Sequence, residues 1–280
     1  MTEAELVARH YTQDACFEFE SIRLTELCPV EFAVTKRQLG RWIPRGAHVA
    51  EIGVGVGHYS EHLASRGCRI YLVDVAQRLL DAAIARLREA GPTAQLTGAE
   101  RLSATDLQSL PSAAFDAVLM LGPLYHLRRP PERERAVEEA ARLLKPAGLL
   151  FAAGINRLSY LRDHFRQWPH EVVKRRAFHE QYLREGNLDP DHAPPIGFAH
   201  LTTPKEFRST FAGRFEELAL VGVESFTTPW QEILHKLTAE EAEEWLDLVE
   251  RTGVSTEGLG VSDHFLFVGR KAQPEFLPLP

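Results

Sequence analysis

Three glycines on alternate positions, Gly53, Gly55 and Gly57, follow the apolar run Val49-Ala50-Glu51-Ile52. Such a run suits a strand in a buried parallel sheet, and glycines beyond it let the backbone pass close to a ligand with no Cβ in the way. His58 to Arg66 then has helical spacing, with Leu63 and Ala64 on one side. A helix that begins at such a turn presents free N–H groups and a partial positive end, where a carboxylate or phosphate is stabilised. Asp74 ends the next apolar run, Ile70-Tyr71-Leu72-Val73. A carboxylate at a strand tip can accept both hydroxyls of a ribose, and it equally suits the N-cap of a helix beginning near Ala76. Downstream, the apolar stretch Phe115 to Leu121 leads into Gly122-Pro123-Leu124-Tyr125-His126-Leu127. A histidine there, ordinarily titrating near ~6.5, has the chemistry of a general base, and also of a brace that bonds backbone carbonyls. Tyr125 and Tyr11 offer aromatic faces that attract a cation by ~0.5–2 kcal/mol, or simply pack.

Glu51 with its glycine triplet, Asp74, and the Phe115 to Leu127 string together resemble the motifs of the class I S-adenosylmethionine (SAM)-dependent methyltransferases. The Gly-Pro-Leu-Tyr-His-Leu ending is similar to that of a large group of bacterial small-molecule methyltransferases. The resemblance covers about residues 45–155. Glu31-Phe32 with Thr35, the helix start Thr203-Pro204-Lys205-Glu206 and the strand Leu220 to Glu224 are similar to the same group more loosely. It implies an α/β, Rossmann-like fold with a seven-stranded, mostly parallel sheet, and SAM as cofactor with S-adenosylhomocysteine (SAH) as product. The cofactor site it implies is Glu51, Gly53, Gly55, Gly57, Asp74, Ser103, Ala104 and Leu121. Ser103 and Ala104 stand in the loop that reads adenine in these enzymes, where many relatives carry Asp in place of Ser103. Ser103 Oγ can still accept from the adenine amino group, and Ala104 N–H can donate to a ring nitrogen. Leu121 and Gly122 would pass beneath the methionine part, and the catalytic candidates Tyr125 and His126 would open the acceptor pocket.

A nicotinamide oxidoreductase is the rival reading of the glycine turn. Its fingerprint places the third glycine three residues after the second, where His58 stands, and follows an uncharged strand. Glu51 would there face a pyrophosphate, whereas a sulfonium and an ammonium tolerate a carboxylate well.

The elements that must position these residues alternate from residue 48 onward, the pattern of a doubly wound parallel sheet. Strands are expected at about 48–52, 69–73, 94–97, 115–121, 148–154, 216–224 and 263–270, and helices at about 58–66, 77–89, 132–144 and 204–212. Lys145-Pro146-Ala147-Gly148 reads as a helix stop before a strand. Four segments are expected: an N-terminal helical cap over 1–45, built of two helices; the SAM-binding core over 46–156; a helical insertion over 157–203 above the strand ends; and a C-terminal part over 204–280 with a further helix at about 230–252. The insertion's His164, His170, His179, His192 and His200 match no compact ligand spacing, so no metal is expected. His200 is the one among them expected near the pocket, and His58 is expected to be exposed.

The 280 residues are 44% hydrophobic, enough for one large α/β domain with a cover. The net charge of −7 disfavours a polyanionic partner. Nucleic-acid methylation is further disfavoured because Gly122-Pro123-Leu124-Tyr125 stands where an Asn/Asp-Pro-Pro-aromatic element would hold a flipped base. The three cysteines have no metal or disulfide spacing, no signal peptide opens the chain and no apolar run would span a membrane. The expectation is a cytoplasmic enzyme that methylates an oxygen or nitrogen of a small-molecule acceptor, with the N-terminal helices as lid or homodimer surface. The alternative is a non-catalytic SAM-binding sensor or partner subunit.

Overall fold

The computed structural model describes residues 3–91, 95–192 and 197–273. The chain opens with α1 (Glu3–Tyr11) and α2 (Asp14–Ile22), passes through a π-helical turn (Arg23–Leu27), and enters α3 (Pro29–Trp42), started by Pro29 in its first turn. Three helices thus stand where two were expected, because the chain breaks at Thr12-Gln13 and again at Cys28-Pro29. Then follow β1 (His48–Ile52), α4 (His58–Ser65), β2 (Arg69–Asp74), α5 (Gln77–Glu89), β3 (Gln95–Arg101), β4 (Phe115–Met120), the single turn α6 (Pro123–His126), α7 (Pro130–Leu143) and β5 (Leu144–Ile155). Residue 94 of the expected third strand lies outside the described residues.

The insertion carries α8 (Arg157–Gln167), α9 (Arg176–Glu185) and the short pair β6 (Asn187–Leu188) and β7 (Ala199–His200). The chain closes with α10 (Pro204–Ser209), β8 (Phe215–Gly222), a kinked 3₁₀ run (Ser225–Lys236), α11 (Ala239–Gly253), α12 (Thr256–Val261) and β9 (His264–Lys271). The long helix expected from about 230 begins only at Ala239. Pro229 and the non-helical Trp230 break the earlier stretch, and a capping box of Thr238 with Glu241 starts α11. β5 begins at Leu144 rather than at Gly148, since Leu144 already pairs with Phe115 and the Lys145–Gly148 stretch is absorbed as a register shift with Ala147 at φ +61°.

The sheet order is β3-β2-β1-β4-β5-β9-β8. β1 to β5 are mutually parallel, and β9 runs antiparallel between β5 and β8. Both faces are covered. Val49, Ile70, Leu72, Ala117 and Leu119 pack towards α3, α4 and α5, while Ala50, Ile52, Val73, Val118 and Met120 pack towards α7 and α10. This is the seven-stranded, mostly parallel sheet with flanking helices that the resemblance implied. Strand order reverses between β1 and β4, so the crevice at their carboxyl ends is where an open α/β sheet receives a ligand. No helix among the described residues is long and apolar enough to cross a membrane.

Candidate functional site

One cavity at that crevice is lined by all ten residues singled out above: Glu51, Gly53, Gly55, Gly57, Asp74, Ser103, Ala104, Leu121, Tyr125 and His126. The glycines at its floor all have positive φ, +73° at Gly53, +58° at Gly55 and +86° at Gly57, so each turn residue occupies the region L side chains avoid. They serve different neighbours. A Cβ at Gly53 would stand 2.7 Å from the Pro123 ring, at Gly55 2.8 Å from Glu20 Oε1, and at Gly57 3.0 Å from Ala83 in α5. Gly57 therefore allows α4 and α5 to pack, while Gly53 and Gly55 keep the cavity wall thin.

Asp74 combines its two sequence readings. Its Oδ1 accepts from Ala76 N–H at 2.8 Å at the start of α5, and its Oδ2 accepts from Gly55 N–H at 3.1 Å. Burial nonetheless raises its carboxyl to about 6, against the lowering effect of those donors. Glu51 accepts a bond from Ser60 Oγ, and burial pushes it up to about 8. Among the described residues neither Glu51 nor Asp74 has an ion-pair partner, which suits a ligand bearing hydroxyls and positive charge.

His126 is held at both ring nitrogens. Nδ1 lies 3.0 Å from the Phe198 carbonyl and must donate, leaving Nε2 to accept from Tyr11 OH at 3.1 Å. Burial lowers its pKa to about 4, so the ring is neutral. Tyr125 stacks obliquely beside it at 4.8 Å, and burial raises its phenol. In the loop after β3, Ser103 Oγ lies 2.8 Å from Thr105 Oγ1, and Asp106 N–H donates to Ser103 O. Asp116 sits at the far end of β4, accepting from His48 N–H and Lys145 Nζ.

The sequence reading offered an N-terminal cap and Tyr11 but missed three residues of the roof. Tyr11 lines the same cavity together with Glu20, Arg23 and Leu24 of the N-terminal segment. The signal was present, since polar residues interrupt the apolar faces there, but periodicity alone does not say what those faces cover. His58 is a correction: it is 7% exposed, its Nε2 bonded to Ser21 O at 3.1 Å, because α2 lies over the start of α4. His200 lines a separate cavity with Arg133, Arg157, Arg184, Thr202 and Glu206, which touches the first through Tyr125. In the insertion, His192 pairs with Asp189 and stacks on Phe178, and His164 faces His179 at 5.0 Å. Among the described residues, the one close group of metal-type side chains is elsewhere: Glu31, Glu224 and His264. There Glu224 Oε1 accepts from His264 Nδ1 at 2.5 Å, and the two carboxylates raise the imidazole to about 9.

Known proteins resemble the part of the chain that carries this cavity. Residues 50–152 match the model of a methyltransferase domain. The sheet with its flanking helices is shared with solved class I enzymes. A SAM-dependent methyltransferase from Methanosarcina mazei superposes with a TM-score of 0.56 at 21% identity, covering 84% of this chain and 96% of that one. Residues 50–152 are a methyltransferase domain. The N-methyltransferase NodS from Bradyrhizobium japonicum, solved with SAH, gives a TM-score of 0.55 at 14% identity over 98% of this chain and 100% of its own. A ubiquinone biosynthesis O-methyltransferase from Xanthomonas oryzae pv. oryzae is 34% identical over 112 residues, 40% of this chain. The chain spans 44% of that relative's length, so the likeness is one of the methyltransferase domain. The cofactor of such domains is SAM, and the residues fit it: a glycine floor, a carboxylate at the tip of β2, and acidic walls for a ligand whose sulfonium and ammonium outnumber its one carboxylate.

Proposed function

We propose that this chain transfers a methyl group from SAM to an oxygen or nitrogen of a small-molecule acceptor. The observation that carries the reading is the convergence of Glu51, the glycine turn, Asp74, Tyr125 and His126 on one cavity at the switch point of the sheet. When bound, SAM supplies a methyl carbon activated by its sulfonium. The chain's task is then to hold the cofactor, orient the acceptor behind that carbon and exclude water. Asp74 receives the ribose hydroxyls, Ser103 and Ala104 border the adenine, Leu121 supports the methionine part, and Glu51 faces the cationic end. Tyr125 borders the acceptor. Because His126 is neutral, buried and bonded at both nitrogens, we assign it to positioning, tying the end of α6 to Tyr11 and Phe198.

On this reading residues 1–45 cap the site, 46–156 bind the cofactor, 157–203 border the acceptor and 204–280 complete the sheet. The net charge of −7 favours a small acceptor over nucleic acid. The Xanthomonas relative's name favours oxygen as the atom methylated. We place the enzyme in the cytoplasm, with the N-terminal helices available for a homodimer contact.

The test is isothermal titration calorimetry with SAM, SAH and NADH, followed by a screen of phenols, alcohols and amines for SAH release. Micromolar binding of both adenosyl ligands without NADH, and turnover of at least one acceptor class, is expected. NADH binding alone would overturn the reading, and SAM binding without any turnover would favour the non-catalytic alternative.

A further inference from the structure

A second cavity, of about 190 Å³, lies where the insertion meets the core, and its charge is of the opposite kind to the first. The first is walled by Glu20, Glu51 and Asp74 with Arg23, the second by Arg133, Arg157 and Arg184 with Glu185 and Glu206. Leu124, Tyr125 and Phe207 form its apolar side, and Tyr125 borders both cavities. One of the three arginines is already satisfied. Arg157 is buried, its Nη2 and Nη1 donating to the Glu206 carboxylate at 2.5 and 3.2 Å and its Nε to the Leu201 carbonyl at 3.3 Å. Glu185 accepts from Gln181 Nε2 at 3.0 Å and pairs with no arginine among the described residues.

Arg133 is held in place but has no carboxylate partner among the described residues. Its Nη1 donates to the Leu127 and Arg128 carbonyls at 2.7 and 2.8 Å, which fixes the guanidinium at the start of α7 and leaves its Nε and Nη2 edge for a ligand. Burial lowers its pKa even against the pull of Glu3, Glu206, Glu134 and Glu132, as for a cation desolvated without a close counter-ion. Arg184, exposed in the last turn of α9, likewise has no carboxylate partner among the described residues. His200 adds no charge of its own. Burial, and then the positive charge of Arg133 and Arg157, lowers it to about 4, and its Nδ1 lies 3.0 Å from Asn187 Oδ1.

A partly buried guanidinium without a counter-ion is stabilised by an anion that arrives with the ligand. Its planar fork matches the two oxygens of a carboxylate, and the apolar side formed by Leu124, Tyr125 and Phe207 suits the body that carries it. A phosphate, with three charged oxygens, would call for more donors than this wall offers. We propose that the second cavity receives a carboxylate of the methyl acceptor, held by Arg133 with Arg184 beside the opening. The acceptor is then an apolar or aromatic carboxylic acid whose nucleophilic end reaches past Tyr125 towards the cofactor. This rests on the proposed function and names the substrate class for it. The two cavities then sort their ligands by sign, the cationic cofactor to the acidic one and the anionic acceptor to the basic one.

The test is fluorine NMR of 4-fluorobenzoate and 4-fluorobenzamide, a matched acid and neutral amide, with SAH-saturated wild type, R133M and R184M. Wild type is expected to bind the acid about tenfold or more tightly than the amide, and R133M to lose about tenfold for the acid, the loss of a charged pair. R184M, at an exposed and screened position, is expected to lose about threefold. Amide and SAH affinities should stay within about twofold in both variants, and retained SAH binding shows that they are folded. Should R133M fail to fold, R184M still tests the charge. No acid binding at millimolar concentration, no preference for the acid in wild type, or a preference unchanged in the folded variants would overturn the subsite. Stronger displacement of the probe by inorganic phosphate than by benzoate would overturn the choice of a carboxylate. Wild-type protein that does not bind SAH would instead remove the proposed function itself.

Discussion

Asp74 carries the heaviest load of any single side chain in the cavity, because its carboxylate both ties the glycine turn to β2 and is proposed to hold the ribose. Asp74→Ala is expected to weaken SAM binding by about 2–3 kcal/mol, read by calorimetry, since two charge-assisted hydrogen bonds disappear. Unchanged affinity would remove Asp74 from the cofactor site. Glu51 gives a second prediction through its proton. Burial holds its carboxyl near 8, so at pH 7 it is mostly protonated, and a ligand bringing positive charge to it lowers that pKa. SAM binding at pH 7 should therefore release a proton, and affinity should rise with pH up to about 8 and then level. Calorimetry in two buffers of different ionisation enthalpy measures the release, and Glu51→Gln should abolish it. Both residues were legible in the sequence because a carboxylate beside a glycine turn or at a strand tip is a local pattern. Glu20 and Arg23 were not, because their meaning depends on where α2 lands.

The helices and strands were legible to within a few residues wherever apolar periodicity was strong, as in β1, β2, α5 and β4. The misplacements fell where one rule overrode another, at the Lys145–Gly148 shift and at Pro229-Trp230. Two element-scale contacts give tests. Gly57 holds φ +86° while α4 crosses α5 at Ala83, so Gly57→Ala should lower stability by about 2 kcal/mol, read as a shifted urea midpoint with unchanged slope. The Glu31–His264–Glu224 cluster joins α3, β9 and the end of β8. His264 is raised to about 9 in the fold against an ordinary ~6.5, so its contribution to stability is fully present below about 6.5 and is lost as pH rises through 9. His264→Gln should flatten that decline and cost about 3 kcal/mol at pH 6.5, because buried Glu224 loses its cation while Glu31 keeps Arg23 at 2.7 Å. An unaltered pH dependence of thermal unfolding would show that the histidine is not charged.

At the scale of the whole chain, a doubly wound parallel sheet follows from the alternation of strands and helices, but the strand order with its switch point and the covered cavity do not. The cavity exists because α1, α2 and the π-helical turn fold back across the carboxyl ends of β1 and β4 and place Tyr11 on His126 and Glu20 on Gly55. The cavity is therefore shared between a core of near-continuous hydrogen-bonded strands and a cap whose own apolar contacts are few: Leu24 joins the main core, and Tyr11 and Phe17 pack against Val56, Ala76 and Leu79. A ligand that bridges the two parts stabilises the cap and the core together. At a hundredfold excess over Kd, binding to the native state alone adds about 2.7 kcal/mol. For a chain of this size that corresponds to a rise in Tm of roughly 5–10 °C with SAM or SAH. Native-state hydrogen exchange should place the largest gain in protection in residues 3–27, since these close on the ligand and have least to hold them otherwise. A Tm shift with protection confined to β1 and β2 would mean that the cofactor binds the core without the cap.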